Sequence, residues 1–418
     1  MRSDLQLNRT VLNNGLTVIT NKVQNSKIVA INYVVEVGSF YEKKYPSGIS
    51  HFLEHMMMNG TKTRSKKEIY AAIQYLGGKI NAGTSFYHTD YNCIIIHKNW
   101  KNGVEILSDI VWNAKISNGD IEKEKSVISQ EISTLRDDPI NHIKDSILLN
   151  LFPNDPEKHS VIGTYESVNS ITKNLLDNFR NQYYTPSRTT LIISGDVEHE
   201  EITTLVEGIK ISKGQVEDIE LCSSESIKKL NSESHFIKNP FEQGYFTCTM
   251  YAPSRKDGDY YAYQLIIRLL SHGLSSRLYA KLREDLGLLY ALGMDYIDFK
   301  DGAVTIFIAI SNDNNFREIK THLMNALNDL KINKISDSEL QKVKNNYLFD
   351  LYNYQESVKE QNDFIIEEYL YSEISDINTT IEKINSVSIW NIMECSKKYF
   401  NNDNYMFIEM NPSTIKEN

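Results

Sequence analysis

A weak internal repeat is the feature that most constrains how this chain can fold. YLGGKINAG at 75–83 resembles DLGLLYALG at 285–293, and NQYYTPSRTTLII at 181–193 resembles KKYFNNDNYMFIE at 397–409. The matches keep their order along the chain, as expected for a duplicated domain that later acquired small insertions and deletions. A chain of 418 residues is also long for a single hydrophobic core. We therefore predict two homologous domains, residues 1–214 and residues 235–418.

The segment between the two predicted domains, residues 215–234, is polar, charged and rich in serine. It shows no useful apolar periodicity, which predicts a linker. Within each half, alternating strand patterns such as TVITNK and IVAINYVVEV are followed by helical patterns, with hairpins between some strands. This order predicts an α+β fold, in which each domain is an antiparallel-rich mixed sheet backed by helices.

Charge and composition narrow the possible partners and locations. The net charge of −10 makes nucleic acid an unexpected partner. No run of apolar residues is long enough for a membrane span, and MRSDLQLNRT lacks the apolar core of a signal peptide, so we expect a cytoplasmic protein that does not enter the membrane. The four cysteines form no CxxC pair, which favours free buried thiols over a thiolate metal site.

The segment GISHFLEHMMMNG at 48–60 predicts a helix with two different faces. Its apolar residues fall on one side, whereas His51, Glu54 and His55 share the other. Ser47 is the expected N-cap and Gly60 the expected stop. Histidines four residues apart on a helix can both bind one metal ion, and the order H-x-x-E-H is an inverted zinc-hydrolase motif. The alternative is three solvent-exposed polar residues without a metal.

A catalytic zinc site of this kind needs a third protein ligand. The segment 120–135 predicts another helix, with Ile121, Val127, Ile128, Ile132 and Leu135 on its apolar side. Glu124 and Glu131 fall inside the same arc, two turns apart, and inward-facing carboxylates need a positive partner. Arginines could neutralise them, or a rotated helix could leave them in solvent. With two histidines lacking a third ligand, we predict Glu131 as that ligand and Glu124 as a neighbour that orients a ligand.

Together these residues resemble the pitrilysin-type, or inverzincin, zinc metallopeptidases of family M16. The spacing from HFLEH to Glu131 is similar to that in the short-chain branch that includes mitochondrial processing peptidase. The resemblance extends over most of the chain, through GGKINAGTSFYHTDY at 77–91, HSVIGTYESVNSIT at 159–172 and SSRLYAKLREDLGLLY at 275–290.

The resemblance implies a role for each matching residue. His51, His55 and Glu131 would bind one Zn²⁺ per chain, Glu54 would be the general base, and Glu124 would support catalysis. Arg283 and Tyr290 match a pair that holds the substrate backbone, and the strand around Asn81 and Ala82 would add an extended peptide at its edge. The resemblance also implies that two chains pair, as a homodimer or as a heterodimer with a related chain.

The sequence departs from the family pattern in two places. The glycine-rich entry before SSRL is reduced to SHG at 271–273, and the glycine-rich loop of the non-catalytic processing-peptidase subunit is absent, which weakens any expectation of presequence specificity. QLIIR at 264–268 stands where the repeat would place a second zinc motif.

From the zinc motif and the resemblance together, we predict a zinc endopeptidase that cuts extended peptides or leader segments. A non-catalytic assembly or structural subunit is the alternative.

Overall fold

The computed structural model describes most of the chain, in segments that cover both predicted domains. These segments are residues 6–152, 160–209, 211, 230, 234–239, 243–299, 302–372, 377–401 and 404–412. Of the predicted linker 215–234, only Leu230 and Ser234 belong to the described residues. The prediction of a linker therefore lies almost entirely outside them.

Strands and helices alternate along the described chain. The strands are β1 (Leu7–Val11), β2 (Thr17–Lys22), β3 (Ile28–Val35), β4 (Gly78–Thr84), β5 (Thr89–Ile96), β6 (Thr189–Gly195), β7 (Ser234–Asn239), β8 (Gly244–Ala252), β9 (Ala291–Phe299), β10 (Gly302–Ser311) and β11 (Tyr405–Pro412). The helices of the first half are α1 (Ile49–Met58), α2 (Lys66–Tyr75), α3 (Trp100–Asn113), α4 (Asn118–Arg136), α5 (Pro139–Leu151), α6 (Tyr165–Ser170), α7 (Lys173–Tyr183) and α8 (His199–Glu207). Those of the second half are α9 (Tyr260–Ser271), α10 (Arg277–Tyr279), α11 (Phe316–Ile332), α12 (Asp337–Glu356), α13 (Val358–Tyr371), α14 (Ile377–Ser386) and α15 (Ile389–Tyr399).

The strands form two sheets with matching topology. The first has the order β1-β2-β6-β3-β5-β4, and the second has the order β7-β11-β8-β10-β9. In each sheet one pair is parallel, β2 with β6 and β7 with β11, and the other pairs are antiparallel. The second sheet thus repeats the first except for β1, which the sequence pattern did not predict. This agreement confirms the predicted α+β fold with two homologous mixed sheets.

The two compact units exchange segments between the halves of the sequence. One unit comprises Met1–Asp137, Asn154–Ser224 and Tyr354–Glu367, and the other comprises Asp138–Pro153, Glu225–Asn353 and Glu368–Asn418. Each unit therefore contains one segment from the opposite half of the sequence. The boundaries predicted from the sequence did not include this exchange, because an amphipathic helical pattern shows that a helix packs but not which sheet receives it.

Polar side chains receive the exchanged segment Tyr354–Glu367 within the first unit. The Asn21 amide donates to Gln361 Oε1 at 2.7 Å, and Ser194 Oγ donates to Asn362 Oδ1 at 2.8 Å. Asn362 Nδ2 in turn donates to Asn32 Oδ1 at 2.7 Å, and the Asn362 side chain is fully buried. The hydrogen bonds reach strands β2, β6 and β3, so this contact depends on specific polar partners as well as on apolar burial.

The helix α1 begins differently from the sequence prediction. Its N-cap is Gly48, with φ of +85°, and the Ser47 side chain does not cap it. A Cβ atom at Gly48 would lie 2.4 Å from the Ile162 carbonyl oxygen, so the position requires glycine. The buried carboxylate of Glu42 instead accepts hydrogen bonds from the backbone N–H groups of Gly48 and Ser50, at 2.8 and 2.9 Å. A negative charge at this helix end also complements the helix dipole.

Two further features of the described residues bear on the sequence predictions. Cys93, Cys248 and Cys395 are free and buried, as expected for structural thiols, and Cys222 lies outside the described residues. Among the described residues, none of the helices is both long and apolar enough to serve as a membrane span.

Candidate metal centre

The helix α1 separates its apolar and polar residues as the sequence predicts. Phe52, Leu53 and Met56 are fully buried on the core side. On the other side, the His51 and His55 rings lie with their centroids 4.6 Å apart and their planes at 61°. One turn of helix separates the two residues, so the backbone itself brings their imidazoles together.

The helix α4 supplies two carboxylates to this face of α1. Glu131 Oε2 lies 3.8 Å from His51 Nε2 and 3.7 Å from His55 Nε2. Glu124, two turns earlier, is buried, as predicted. Val127, which the sequence analysis placed on the apolar side of α4, is instead 47% exposed. The buried stripe of α4 runs through Ile121, Glu124, Ile128 and Ile132, so the helix is rotated slightly from the predicted orientation.

The Glu124 carboxylate is held by two residues of the α1 region. Its Oε2 atom lies 3.0 Å from His55 Nδ1, and its Oε1 atom accepts a hydrogen bond of 2.9 Å from Asn59 Nδ2. Burial raises the pKa of Glu124, but the hydrogen bonds from His55 and Asn59 outweigh that effect, so its pKa is lowered. An ionised Glu124 accepts a hydrogen bond from a protonated His55 Nδ1, which leaves the Nε2 lone pair of His55 facing Glu131.

Glu54 is less exposed to solvent than the two histidines. Its side chain accepts a hydrogen bond of 2.8 Å from Thr84 Oγ1, at the end of β4. The residue is only 8% exposed, and burial raises its pKa despite the Thr84 hydrogen bond. A buried carboxylate with a raised pKa beside an imidazole pair has the character expected of a general base.

The donor set fits a zinc ion. His51, His55 and Glu131 each offer one atom, and these atoms all lie within 4.8 Å of one another. The separations between Glu131 and the two Nε2 atoms are too long for hydrogen bonds but close to the roughly 3.4 Å between ligand atoms of a tetrahedral zinc site. Two imidazoles and one carboxylate are also a known set of catalytic zinc ligands.

Electrostatics favour a cation at His55 and a neutral imidazole at His51. Burial, together with the charge of His55, lowers the pKa of His51 to about 3, so its imidazole is neutral near pH 7. Burial lowers the pKa of His55 as well, but Glu124, Glu54 and Glu131 outweigh burial and raise it. Because a proton and a metal ion compete for the same nitrogen lone pair, a position that favours a proton also favours a metal ion. The Glu131 side chain is 42% exposed, which leaves the centre open to water and substrate.

Strand β4, at the edge of the first sheet, contacts Glu54 through Thr84. β4 is the outermost strand of its sheet and pairs only with β5 among the described strands. Asn81 pairs in register with Asn92, and Ala82 pairs with Tyr91. Asn81 is exposed and Ala82 is half-buried. The outer edge of β4 therefore offers unpaired backbone groups to an added strand.

Comparison with known proteins decides the family. Residues 17–165 match the family model described as insulinase (peptidase family M16), and residues 170–347 match the model of the peptidase M16 inactive domain. An uncharacterized zinc protease of Rickettsia bellii is 33% identical over 73% of this chain and 74% of its own length. The chain belongs to peptidase family M16. An uncharacterized zinc protease of Rickettsia felis is 29% identical over 94% of this M16 chain and 95% of its own length.

Solved structures show the same M16 fold. A protease from Helicobacter pylori superposes with a TM-score of 0.89 at 21% identity, over 98% of this chain and all of that one. An M16-like peptidase from Alicyclobacillus acidocaldarius gives a TM-score of 0.84 at 19% identity, over 99% of this chain and all of that one. The architecture is therefore shared even where the sequences have diverged.

In the second unit of this M16 chain, Arg283 and Tyr290 lie together. Arg283 belongs to a π-helical turn, Ala280–Asp285, that follows α10. Its Nη1 atom donates to the Tyr290 carbonyl oxygen at 2.5 Å, and its guanidinium lies 5.8 Å from the Tyr290 ring centroid and 5.2 Å from that of Tyr279. The Arg283 side chain is exposed, and Tyr290 is 68% exposed. Arg283 and Tyr290 are therefore in contact with each other and open to solvent.

Several residues that support the centre were not predicted from the sequence. Glu42 caps α1, Thr84 contacts Glu54, and Asn59 contacts Glu124. Lys66 reaches Asn59 as well. None of these residues has a periodicity or spacing that marks it.

Proposed function

We propose that this chain is a zinc-dependent endopeptidase with one zinc ion per chain, bound by His51, His55 and Glu131. The observation that carries the proposal is the convergence of His51 Nε2 and His55 Nε2 on a single carboxylate oxygen, Glu131 Oε2, at 3.7 to 3.8 Å. These residues come from two different helices, α1 and α4. Membership of family M16 and the zinc-protease names of the relatives support the same assignment.

Glu54 acts as the general base in this proposal. When bound, the zinc ion supplies Lewis-acid activation of a water molecule and of the scissile carbonyl. Glu54 takes a proton from the attacking water and later returns it to the leaving amine, which then departs neutral. The Thr84 hydrogen bond at 2.8 Å holds one oxygen of Glu54, so the other is free to make the transfer.

Glu124 supports the reaction through His55. Its carboxylate lies 3.0 Å from His55 Nδ1 and fixes both the ring orientation and the tautomer of this ligand. In this proposal the contribution of Glu124 is to hold a ligand in a form that can bind the metal.

Substrate recognition is proposed to depend on backbone pairing. An extended peptide adds to the outer edge of β4 at Asn81 and Ala82, close to Thr84 and hence to Glu54. Such pairing reads the peptide backbone and suits extended peptides or leader segments of varied sequence. Arg283 and Tyr290 would hold the substrate near the scissile bond, and one of the two, Tyr290 or Arg283, would stabilise the oxyanion. They would be supplied by a facing half, in a homodimer or in a heterodimer with an M16-like partner.

The test is the pair of wild-type and Glu54→Gln proteins, each measured for bound zinc and for cleavage of a peptide library by mass spectrometry. We expect both proteins to bind zinc and only the wild type to cut. Glu105→Gln, a substitution of a surface glutamate that pairs with Arg64, is the matched control and should retain activity. Full activity in Glu54→Gln would remove Glu54 from its role. If the wild type binds zinc but cuts no peptide, either alone or with candidate partners, the result would favour the alternative function, a non-catalytic assembly or structural subunit.

A further inference from the structure

A chain of polar contacts extends from the metal centre to the protein surface. Glu124 Oε1 accepts a hydrogen bond from Asn59 Nδ2 at 2.9 Å, and Asn59 Oδ1 accepts one from Lys66 Nζ at 2.7 Å. Lys66 Nζ also lies 3.9 Å from Glu124 Oε1. The Lys66 side chain is 50% exposed, whereas that of Glu124 is only 9% exposed. The path therefore leads from bulk solvent to a buried carboxylate that touches His55.

Lysine determines the direction of every hydrogen bond in this path. An ammonium group only donates, so the Asn59 oxygen must face Lys66 and the Asn59 NH₂ group must face Glu124. The Glu124 carboxylate only accepts, and its other oxygen faces His55 Nδ1. The proton of a neutral His55 is therefore held on Nδ1, and the Nε2 lone pair remains available to a metal ion.

Asn59 and Lys66 lie at the ends of two helices, which fixes their backbone positions. Asn59 is the C-cap residue of α1, and Lys66 is the first residue of α2. The loop between them is anchored on Asp109, which accepts hydrogen bonds from Thr61 Oγ1 at 2.6 Å and Thr63 Oγ1 at 2.7 Å. Asn59 and Lys66 therefore both approach the same oxygen of Glu124, Oε1, from the two ends of an anchored loop.

We propose that Asn59 and Lys66 are positioning residues for the metal centre, which act through Glu124 to hold His55 in its metal-binding tautomer. This inference rests on the proposed zinc site. It assigns a role to the surface end of the path, where Lys66 provides a positive charge that keeps Glu124 oriented without itself approaching the metal. Removal of either residue should weaken zinc binding while leaving the fold intact.

The experiment measures the zinc dissociation constant at one fixed pH, by competition with a chelator, together with the unfolding temperature of the zinc-free protein. Asn59→Ala and Lys66→Met should each weaken zinc binding about 10-fold, the lower end of the range for residues that orient a metal ligand. Lys66→Arg should restore most of the affinity, because it retains the charge and the donor. Lys67→Met, a change of the adjacent exposed lysine, should have no effect.

A double-mutant cycle separates an action through Glu124 from a general effect on structure. If the path acts through Glu124, Asn59→Ala should change the zinc affinity of the Glu124→Gln protein by less than about 2-fold. Equal losses in both backgrounds would overturn the inference, as would wild-type affinity in both Asn59→Ala and Lys66→Met. These results would leave the zinc peptidase intact. A wild-type protein that fails to bind zinc would overturn both proposals.

Discussion

Glu124 Oε2 lies 3.0 Å from His55 Nδ1, on the opposite side of the imidazole from Glu131, whose carboxylate faces His55 Nε2 at 3.7 Å. One helix, α4, supplies both carboxylates two turns apart. Two carboxylates of one helix therefore face the two ring nitrogens of His55, one within hydrogen-bond distance and one at a longer separation. In this arrangement the position of α4 relative to α1 sets both the tautomer of His55 and the distance between His55 Nε2 and Glu131.

Replacement of Glu124 should weaken zinc binding. In Glu124→Gln the side chain can still reach His55, but its charge is lost, so the His55 Nδ1 proton is held less firmly. We expect zinc affinity to fall roughly 10- to 100-fold. Chelator competition with the purified protein measures the change, and Glu122→Gln, an exposed position on the same helix, is the control. Equal affinities for Glu124→Gln and the control would mean that Glu124 does not act on the ligand.

Zinc should stabilise the folded chain, and the effect should depend on Glu131. A ligand that binds only the folded state raises stability, by about 2.7 kcal/mol when its free concentration is one hundred times its Kd. We expect added zinc to raise the Tm of the chelator-treated wild type and to leave that of Glu131→Gln nearly unchanged. Differential scanning calorimetry with and without zinc tests this. An equal zinc-induced rise in Glu131→Gln would argue against Glu131 as a ligand.

Mixing two inactive variants should restore activity if paired chains share one site. Glu54→Gln removes the proposed base, and Arg283→Ala removes the proposed substrate contact, so each chain lacks a different part. A mixed dimer would contain one complete site with Glu54 from one chain and Arg283 from the other. With random pairing of equal amounts, half of the dimers are mixed and each has one complete site of two, so we expect about one quarter of wild-type peptidase activity. Dimers that form, as seen by light scattering, but stay inactive would rule out sharing across the interface.

The polar contact made by Asn362 should contribute strongly to stability. Asn362→Leu would leave the buried groups of Ser194 and Asn32 without their partner, at a cost of about 2–4 kcal/mol. Urea unfolding followed by circular dichroism measures the loss. Asn345→Leu, on an exposed side of α12, is the matched control and should change stability little. A small effect in Asn362→Leu would mean that apolar contacts hold the exchanged segment.

Stability should fall as pH rises through the titration of Asp90. Burial, with smaller effects from neighbours that include Asp363, raises the pKa of Asp90 from its ordinary value of 3.8 to about 6. Between these values the folded state holds the proton more tightly than the unfolded state does, so the contribution of Asp90 to folding becomes less favourable as pH increases. Asp90→Asn keeps an oxygen for Asn32 and Asn92 but no longer titrates.

We therefore expect Asp90→Asn to be more stable than the wild type above pH 6 and to show a flatter stability profile between pH 4 and pH 6. Urea unfolding at a series of pH values provides the comparison. Asp363→Asn separates the smaller effect of that neighbour from the effect of burial. Parallel profiles for the wild type and Asp90→Asn would show that Asp90 titrates normally in the folded protein.

Local sequence patterns predicted much of the proposed centre. His51 and His55 are adjacent on α1 because a helix places residues four apart on one face, whatever the rest of the fold does. The same rule aligned Glu124 and Glu131 on α4. The rule was less accurate for Val127, because the apolar side of a helix is a broad arc and the exact rotation depends on what packs against it.

The amino-acid sequence by itself determined the two-fold repetition of the fold, the two faces of α1 and the alignment of Glu124 and Glu131 along α4, since each follows from periodicity along the chain. Only the tertiary structure decided that Glu42 caps α1, that Asn59 and Lys66 reach Glu124, and that Tyr354–Glu367 joins the first unit. These contacts join residues on different elements through single polar atoms. Such contacts leave no periodic trace in a sequence, because they depend on how whole elements are positioned in space.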